Sequence, residues 1–420
     1  MRRESTRGAT TMFARAAVAA IVLPLAVMAI ACTSDTTTGG SPQPVRIGAI
    51  YDLSGAEAHR DAPSLEGARL AVDRINAQGG VLGRRVELLE RDGQTSKNGA
   101  RLAAASLVAS GCSVIIGLSD PDQVLAAATV AAAGGVPFVT SGASSPRLAE
   151  QVPHWLFLAG SGDNGQAAAC AQYATDQLAA RTAVVLYEKD QAQAMRPLAD
   201  YFAGSFKEQG GTVLATTDLT SAAKAMSAPK HSEKSAAAAG AAGSAVTLAR
   251  RLAKADVVFV AAPEGEAPTS VRELRRLHLR QPLIGADGFD TSQLVRTAEQ
   301  TGGKVYYTTS AAVDASLAGR AMRRFKADYE ATYGLLPQNA FAALGYDAVG
   351  LVASAMRRAR SVQPVKVRDA LLATHRYAGV TGTLSYRGED HVPSKRVTVV
   401  CIGRRPVVVA QFTPRFVPTP

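Results

Sequence analysis

The sequence predicts an α/β fold with two similar halves, each a parallel β-sheet flanked by helices. The chain has 420 residues, more than one hydrophobic core normally supports, which favours two lobes. Short apolar runs alternate with segments of helical periodicity, and this alternation restarts after about residue 160. The apolar runs have no polar face, which is typical of strands in a parallel sheet covered on both sides.

The N-terminal segment predicts export. A basic start leads into an apolar stretch from residue 16 to 31, which is followed by Cys32. A membrane-spanning helix needs roughly 20 residues, and Pro24 interrupts this shorter stretch, so a secretory signal is favoured over an uncleaved membrane anchor. We interpret residues 1–31 as a signal peptide and the polar residues 32–44 as a flexible tether.

The first half contains four predicted strands and three predicted helices in strict alternation. Each helix has apolar residues at helical spacing, as at Leu65, Ala68, Val72 and Ile75, and ends near a glycine that can cap its last turn. The strands are expected at 45–53, 84–92, 112–117 and 136–140, and the helices at 64–80, 98–111 and 122–135.

The second half repeats the pattern with one interruption. Strands are expected at 182–188, 212–219, 255–262 and 281–288, with helices between them. A strand at 305–310 and two helices after it form a further portion. Residues 396–412 predict a hairpin that turns at 403–406. Ten of the 23 residues in 221–243 are Ala, and Met226 is the one large apolar residue among them. This stretch has little to bury, so we expect a mobile surface insertion.

Composition argues against several functional classes. The net charge is +11, but the basic residues recur as dispersed pairs, which is typical of solvated helix ends rather than of a nucleic-acid groove. Besides Cys32 the chain has three cysteines; one disulfide with a spare thiol is possible, but small buried side chains are the favoured interpretation. These three residues are Cys112, Cys170 and Cys401. No cysteine or histidine spacing suggests a metal, and no cofactor is expected.

No motif for catalysis is present. The six histidines are scattered without the HExxH spacing, and the GASSP stretch lacks the GxSxG pattern of a nucleophile elbow. Asp120 and Asp122 stand at a predicted helix start, where capping explains them. We therefore expect a protein that is not an enzyme.

Eight motifs in order resemble the type I periplasmic binding proteins, the leucine/isoleucine/valine-type receptors of ABC importers. The opening IGAIYDLSGAEA…EGARLAVDRINAQGGVLGRRVELLERD is similar to theirs, and the likeness runs from about Val45 to Phe412. The other motifs are VIIGLSDPDQ, VPFVTSGASSPRL, DNGQA, DVVFVAAP, GADGF, GYDAVGLVASAM and GVTGTLSY. The resemblance implies two Rossmann-like lobes joined by three hinge crossovers, with a small ligand between them.

Carried onto this chain, the resemblance implies discontinuous lobes. Lobe 1 would comprise residues 45–159 and 306–376. Lobe 2 would comprise residues 160–305 and 377–414, including the Ala-rich insertion.

Two loops predict a binding site for a small anion. Loops at the carboxyl ends of parallel strands line the ligand crevice of such sheets. Two of these strands are followed by such loops, one with Ser119 and one with residues 141–145 (SGASS), and a helix begins after each loop. Their hydroxyls and backbone N–H groups suit a carboxylate. The resemblance places the positions that bind an amino acid's α-carboxylate on Ser119, Gly142, Ala143 and Ser144. Alternatively, Ser144 and Ser145 cap the next helix.

Three charged residues complete the expected site. The resemblance places the acidic partner of a ligand ammonium on Asp287, which could instead be a turn residue beside Gly288. Glu264 follows another strand and is a second candidate for the wall. Arg60 stands where the family commonly has Tyr; it would bind a second carboxylate if it faces the cleft, and it would have no role on the outer surface.

The resemblance also implies partners and location. AIAC, residues 29–32, is similar to a lipobox, so Cys32 is expected to carry lipid, although the family prefers Leu where Ala29 stands. The expected ligand is an amino acid or a related carboxylate or amide, and the expected partners are importer permease subunits and the membrane. We expect a monomer, anchored outside the cytoplasmic membrane and binding no nucleic acid. A sensing or orphan receptor is the alternative.

Overall fold

A computed structural model describes the chain over residues 43–227, 241–311, 313, 319–387, 390–403 and 405–420. At 241–244, 387 and 390 it describes the backbone alone. The expected signal peptide, Cys32 and nearly all of the tether lie outside the described residues. The described part belongs to one compact unit, residues 42–420.

The first sheet is parallel throughout and confirms the predicted strand–helix alternation. Its five strands lie in the order β2-β1-β3-β4-β5. The strands are β1 (Val45–Tyr51), β2 (Val86–Asp92), β3 (Val114–Gly117), β4 (Phe138–Thr140) and β5 (Leu156–Leu158). The helices are α1 (Ala58–Ala77), α2 (Lys97–Ala109), α3 (Pro121–Ala133) and α4 (Arg147–Gln151).

Local chemistry explains where these helices begin. The Ser96 side chain accepts a hydrogen bond from the Gly99 N–H at the start of α2, and Asp120 accepts one from Gln123 at the start of α3. Each bond satisfies a backbone donor that the first helical turn leaves free. The capping role expected of Asp120 is therefore confirmed. Pro121 occupies the first position of α3, where its fixed φ and missing N–H cost nothing.

The second sheet has seven strands in the order β15-β14-β10-β9-β8-β6-β7. Five are parallel, while β14 runs antiparallel to β10 and forms the predicted hairpin with β15. The strands are β6 (Thr182–Tyr187), β7 (Thr212–Asp218), β8 (Val257–Ala261), β9 (Leu283–Gly285), β10 (Val305–Thr309), β14 (Val397–Ile402) and β15 (Pro406–Phe412). The helices are α5 (Asp163–Asp176), α6 (Ala192–Glu208), α7 (Leu219–Ser227), α8 (Ala241–Lys254), α9 (Ala267–Arg276) and α10 (Ser292–Thr301).

The remaining elements return the chain to the first sheet. Helix α12 packs along α1, and β13 lies against β5. The helices are α11 (Arg320–Tyr333), α12 (Ala340–Ala359) and α13 (Pro364–Leu372). A small antiparallel sheet follows, made of β11 (Tyr377–Gly379), β12 (Gly382–Arg387) and β13 (Asp390–Lys395).

Two of the three crossovers lie later in the chain than the lobe boundaries we expected. Strand β10 pairs with β9 and β14, so residues 305–309 belong to lobe 2 although 306–376 was assigned to lobe 1. Residues 377–395 were assigned to lobe 2, yet Tyr386 is buried in the core of lobe 1 and donates a hydrogen bond of 2.8 Å to the Leu158 carbonyl. Long-range pairing, rather than local pattern, decides to which sheet a short strand belongs.

Part of the predicted insertion 221–243 is helical. Residues 221–227 complete α7, in which Ala222 and Ala225 are buried and Met226 packs against the lobe 2 core. Their small methyl groups let the helix lie close to the sheet, so a segment poor in large apolar residues still has a surface to bury. Residues 228–240 lie outside the described residues, and α8 begins at Ala241.

The three described cysteines are small side chains that pack without forming a disulfide. Cys112 and Cys170 are buried, Cys401 is half-buried, and all three are free thiols. Burial raises the pKa of the Cys112 thiol to about 11, which makes it a poor nucleophile. Among the helices that the structure describes, none is sufficiently long and apolar to span a bilayer.

A buried polar network ties two of the crossovers together; we call it the hinge network. Lys395, just before the third crossover, donates to the Ala159 carbonyl of the first crossover (3.1 Å) and to the Thr381 hydroxyl (2.6 Å). Asp347 of α12 accepts hydrogen bonds from the Val380 N–H (2.7 Å), the Thr381 N–H (2.8 Å) and the Thr381 hydroxyl. Lys395 and Asp347 are each 4% exposed, so their charges depend on each other and on these bonds.

We expect Lys395→Ala to lower the free energy of unfolding by about 3 kcal/mol, because it leaves the buried Asp347 carboxylate without its cation. Urea unfolding followed by circular dichroism measures the change. Lys366→Ala, which removes an exposed lysine on α13, is the matched control and should change little. Equal stability of the two variants would contradict the importance given to the network.

Candidate functional site

Loops from both sheets meet in one region between the lobes, which we call the interlobe site. Lobe 1 contributes the start of α1, Ser119 after β3 and the small-residue loop, residues 141–145, after β4. Lobe 2 contributes the start of α5, Glu264 after β8 and Asp287 after β9. All except α5 and α1 lie directly beyond the carboxyl ends of strands, where ligands bind in parallel α/β sheets.

Ser119 is engaged by a carboxylate of its own lobe. Its hydroxyl donates a hydrogen bond of 2.6 Å to Oδ1 of Asp61, while Oδ2 of Asp61 accepts the Asp52 N–H at 2.9 Å. Asp61 is 1% exposed and Ser119 4% exposed. Desolvation raises the pKa of Asp61 to about 7, against the lowering effect of these two hydrogen bonds. Both oxygens of the Asp61 carboxyl group are thus held by protein donors.

Two backbone amides of the small-residue loop that were expected to face a ligand have partners within the protein. The Gly142 N–H donates to the Leu118 carbonyl (3.3 Å), and the Ala143 N–H donates to the Thr140 hydroxyl (3.0 Å). Ala143 is buried. A Cβ on Gly142 would lie 2.6 Å from the Ser119 Cβ, so glycine lets the two loops pack against each other. The small side chains therefore serve close packing, and nearby acceptors take the amide hydrogens.

Ser144 faces the other lobe and does not cap a helix. Helix α4 has Pro146 as its N-cap and no side-chain capping bond, so the alternative role for Ser144 and Ser145 is not observed. Instead the Ser144 hydroxyl forms a hydrogen bond with Asp163 of α5, and the Ser144 carbonyl accepts the Asp163 N–H at 2.8 Å. Ser144 thereby connects lobe 1 to the first turn of α5.

Arg60 lies between the lobes with 28% of its side chain exposed. It forms an ion pair with Glu57 of lobe 1 (2.6 Å) and approaches Glu264 of lobe 2 at 3.9 Å. The same Glu264 oxygen lies 3.5 Å from Nε2 of His59. Two of the expected site residues, Arg60 and Glu264, are thus brought together. Arg60 is also paired with Glu57, and Glu264 also lies near His59.

Asp287 is half-buried at the start of a short 3₁₀ helix, Asp287–Phe289. Gln166 holds it twice: its Nε2 donates to the Asp287 carboxylate (2.7 Å), and its Oε1 accepts the Asp287 N–H (3.2 Å). Desolvation raises the pKa of Asp287, and desolvation together with the negative charge of Asp287 raises the pKa of Asp163. The two carboxyl groups therefore form a closely coupled pair on lobe 2.

The electrostatic character of the interlobe site is acidic. Among the described residues, five carboxyl groups belong to this site together with the Arg60 guanidinium and His59. These carboxyl groups belong to Glu57, Asp61, Asp163, Glu264 and Asp287. Such a surplus of carboxylates favours a positively charged group over an anion.

Sequence reasoning missed Asp61, Asp163 and Gln166. Asp61 lies before the helix predicted at 64–80, whereas the observed α1 begins at Ala58, so helical periodicity gave no signal that this side chain is buried. Asp163 and Gln166 lie within the DNGQA motif, one helical turn apart. Their spacing places both side chains on one face of α5, which was a usable signal for a shared site.

A cavity of about 620 Å³ opens beside the start of α5, towards the C-terminal tail, and Pro146 and Gly162 are among its lining residues. Its lining includes His154, Ser161, Asn164, His391 and Pro418. The interlobe site has the charged groups and the position beyond the strands, so we place the function there. Within the described ranges, no three His, Cys, Asp or Glu side chains are arranged to hold a metal ion.

The raised pKa of Asp61 predicts how stability depends on pH. Between its ordinary value of 3.8 and about 7, the folded state binds more protons than the unfolded state, so the free energy of unfolding falls as pH rises through this range. Asp61→Asn removes this contribution. We therefore expect the loss of stability between pH 5 and pH 8 to be smaller in the variant than in the wild type, by at least about 1 kcal/mol.

Urea unfolding at the two pH values measures this difference, and Asp73→Asn on the exposed face of α1 is the matched control. Other carboxyl groups whose pKa is raised, such as Asp163, contribute equally to the pH dependence of stability in the wild type and both variants. An identical pH dependence in the wild type and Asp61→Asn would contradict the prediction.

Comparison with known proteins places this architecture in a family. The sequence profile described as "Periplasmic binding protein" matches residues 44–405. The Leu/Ile/Val-binding protein BraC3 of Rhizobium johnstonii is 25% identical over 320 residues, which is 76% of this chain and 80% of that protein.

Solved structures agree on the fold. The leucine binding protein LivK of Thermotoga maritima has a TM-score of 0.69 and 24% identity, over 88% of this chain and 99% of that one. LivJ of Streptococcus pneumoniae, solved in complex with isoleucine, has a TM-score of 0.66 and 24% identity over the same shares. With the matched profile covering most of the sequence, the predicted resemblance is confirmed, and the chain belongs to the periplasmic binding protein family.

Proposed function

We propose that this protein is the lipid-anchored, extracytoplasmic solute-binding component of an ABC importer, and that it captures a small amino-acid-like solute between its lobes. The observation that carries the proposal is the meeting of charged side chains from both lobes, in which Arg60 and His59 face Glu264 while Ser144 contacts Asp163. A solute bound there would touch both lobes and favour their closure.

Family relatives support an amino-acid-like solute. BraC3 is described as a Leu/Ile/Val-binding protein, and LivJ was solved with isoleucine. In the present chain, Asp287 is our proposed partner for the ligand ammonium, because its carboxylate is fixed by Gln166 and shares a half-buried site with Asp163. Arg60, Glu264 and Ser144 form the surrounding wall. Binding and closure require no catalytic group, so we propose a receptor rather than an enzyme.

A sensing receptor with the same cleft is the second candidate. The segment after β6 has Glu188, Lys189 and Asp190 where the family often has a Tyr-Gly pair. Neighbouring acidic groups add to desolvation in raising the pKa of Glu188, so this part of lobe 2 differs chemically from an aromatic wall. Adjacent genes for permease and ATPase subunits would favour import, and an adjacent kinase gene would favour sensing.

A binding screen tests capture of a solute. We expect at least one amino acid, amide or amine at millimolar concentration to raise the melting temperature of the full chain, because a ligand that binds only the folded state opposes unfolding. Asp287→Ala should weaken the binding of that solute by about 2 kcal/mol, roughly 30-fold in Kd. Calorimetric titration of both proteins measures the loss.

Asp200→Ala is the matched control, since it removes an exposed carboxylate on α6 of the same lobe. Its affinity should equal that of the wild type. If Asp287→Ala binds as tightly as the control, Asp287 is not the ammonium partner. If no compound in the screen raises the melting temperature, the proposed capture of a small solute is wrong.

Lipid anchoring is tested at Cys32, which lies outside the described residues. A lipidated cysteine would hold the protein on the outer face of the cytoplasmic membrane, with residues 33–44 as the tether. We expect Cys32→Ser to move the protein from the membrane fraction to the soluble extracytoplasmic fraction, as measured by fractionation and immunoblotting. Cys112→Ser, at a buried thiol, is the control and should stay with the membrane. Continued membrane association of Cys32→Ser would contradict the anchor.

A further inference from the structure

We propose that Asp61 is a resident carboxylate of the interlobe site, and that it makes the site select small organic amines over amino acids that carry an α-carboxylate. The inference rests on the proposed function, because it concerns the solute class of the same cleft. Three observations carry it: the partners of Asp61, the engagement of the Gly142 and Ala143 amides and of Arg60 with Glu57, and the carboxylates that face lobe 1 from lobe 2.

Asp61 takes up two donors that would otherwise be available to an anion. The Ser119 hydroxyl lies 2.6 Å from one carboxylate oxygen, and the Asp52 N–H lies 2.9 Å from the other. Asp52 is itself fixed, since its carboxylate accepts hydrogen bonds from the Thr95 N–H (2.9 Å) and from Gln123 Nε2 (2.8 Å). Because Asp52 is held by these two bonds, its N–H has a fixed position and holds the Asp61 carboxylate in place.

Two backbone amides of the small-residue loop also have partners. The Gly142 N–H bonds to the Leu118 carbonyl after β3, and the Ala143 N–H bonds to the Thr140 hydroxyl at the end of β4. Arg60 forms an ion pair with Glu57 at 2.6 Å, and its Nε lies 3.9 Å from Glu264 without a hydrogen bond. A ligand carboxylate would have to break these bonds and lie close to the negative charge of Asp61. Like charges at short distance and unreplaced hydrogen bonds both weaken binding.

Lobe 2 presents the opposite chemistry. Asp287 and Asp163 lie together, each partly exposed, with one amide donor from Gln166 and one hydroxyl from Ser144 as their named partners. Glu264 adds a third carboxylate, 30% exposed. An ammonium group has three N–H donors and one positive charge, so it can bond to several of these oxygens and relieve their mutual repulsion. Lobe 2 thus attracts the amine, and Asp61 of lobe 1 disfavours the carboxylate.

Paired ligands test the solute class on the wild-type protein. Each pair differs by the α-carboxylate alone: cadaverine with L-lysine, agmatine with L-arginine, and isopentylamine with L-leucine. We expect at least one amine to bind the full chain in detergent at least tenfold more tightly than its parent amino acid. Calorimetric titration at pH 8 makes the comparison, since Asp61, with a pKa of about 7, is ionised there.

Asp61→Asn then tests whether Asp61 causes the preference. Asn keeps the size of the side chain, and its amide can accept from the Asp52 N–H while donating to Ser119, but it lacks the charge. The ratio of amine to amino acid affinity should fall at least fivefold. Asp73→Asn, which removes an exposed charge from the same helix, should leave the ratio unchanged. An unchanged ratio in a folded Asp61→Asn would overturn the role of Asp61.

The outcomes separate this inference from the proposed function. If an amino acid binds the wild type as tightly as its amine, the inference is overturned while solute capture stands. If neither member of any pair binds, and the wider screen also finds no solute, both are overturned. The wild-type comparison decides the solute class even if Asp61→Asn does not fold.

Discussion

The cost of burying carboxylates between two lobes governs the chemistry of this molecule. A carboxylate removed from water must find hydrogen bonds or a positive partner, or else its pKa rises until it takes up a proton. Asp61 finds Ser119 and the Asp52 N–H, and Asp287 finds Gln166, but Arg60 is the one guanidinium named among them. Neutral donors such as hydroxyl and amide groups satisfy the hydrogen bonds of a carboxylate, but they do not cancel its negative charge. The negative charge of the interlobe site is therefore only partly compensated by the protein, so a positively charged ligand would be favoured there.

In the hinge network, a buried carboxylate is compensated by a buried positive charge of the protein. Asp347 is as deeply buried as Lys395, and the two charges share the Thr381 hydroxyl between them. Desolvation raises the pKa of Asp347, although the positive charge of Lys395 opposes this shift. Desolvation lowers the pKa of Lys395 to about 8, although the negative charge of Asp347 opposes it. At the hinge the protein supplies both charges itself. At the interlobe site it supplies mostly one sign, and the contrast is what distinguishes a structural network from a binding site.

The fold was largely predictable because its signals are local, whereas the partners at the site are not. Apolar runs and helical periodicity predicted four of the five strands of the first sheet, all except β5, and the strands of the second sheet with its hairpin at 396–412. They could not predict that β10 pairs with β14, since these strands are far apart in sequence. The same limit applies at the site. Position beyond a strand predicted Ser119, but its partner Asp61 lies 58 residues earlier, and no pattern near Ser119 announces it.

A run of small hydroxyl residues after a strand therefore does not by itself define an anion site. The same residues can let two loops pack closely, as Gly142 does against Ser119, and their amides can bond to acceptors in the neighbouring loop or at the end of the preceding strand. What decides between the two outcomes is whether a carboxylate of the protein already reaches the donors. In this chain Asp61 reaches the Ser119 hydroxyl from the first turn of α1. Ligand preference in a shared fold can thus depend on one buried charge that lies outside the loops which form the site.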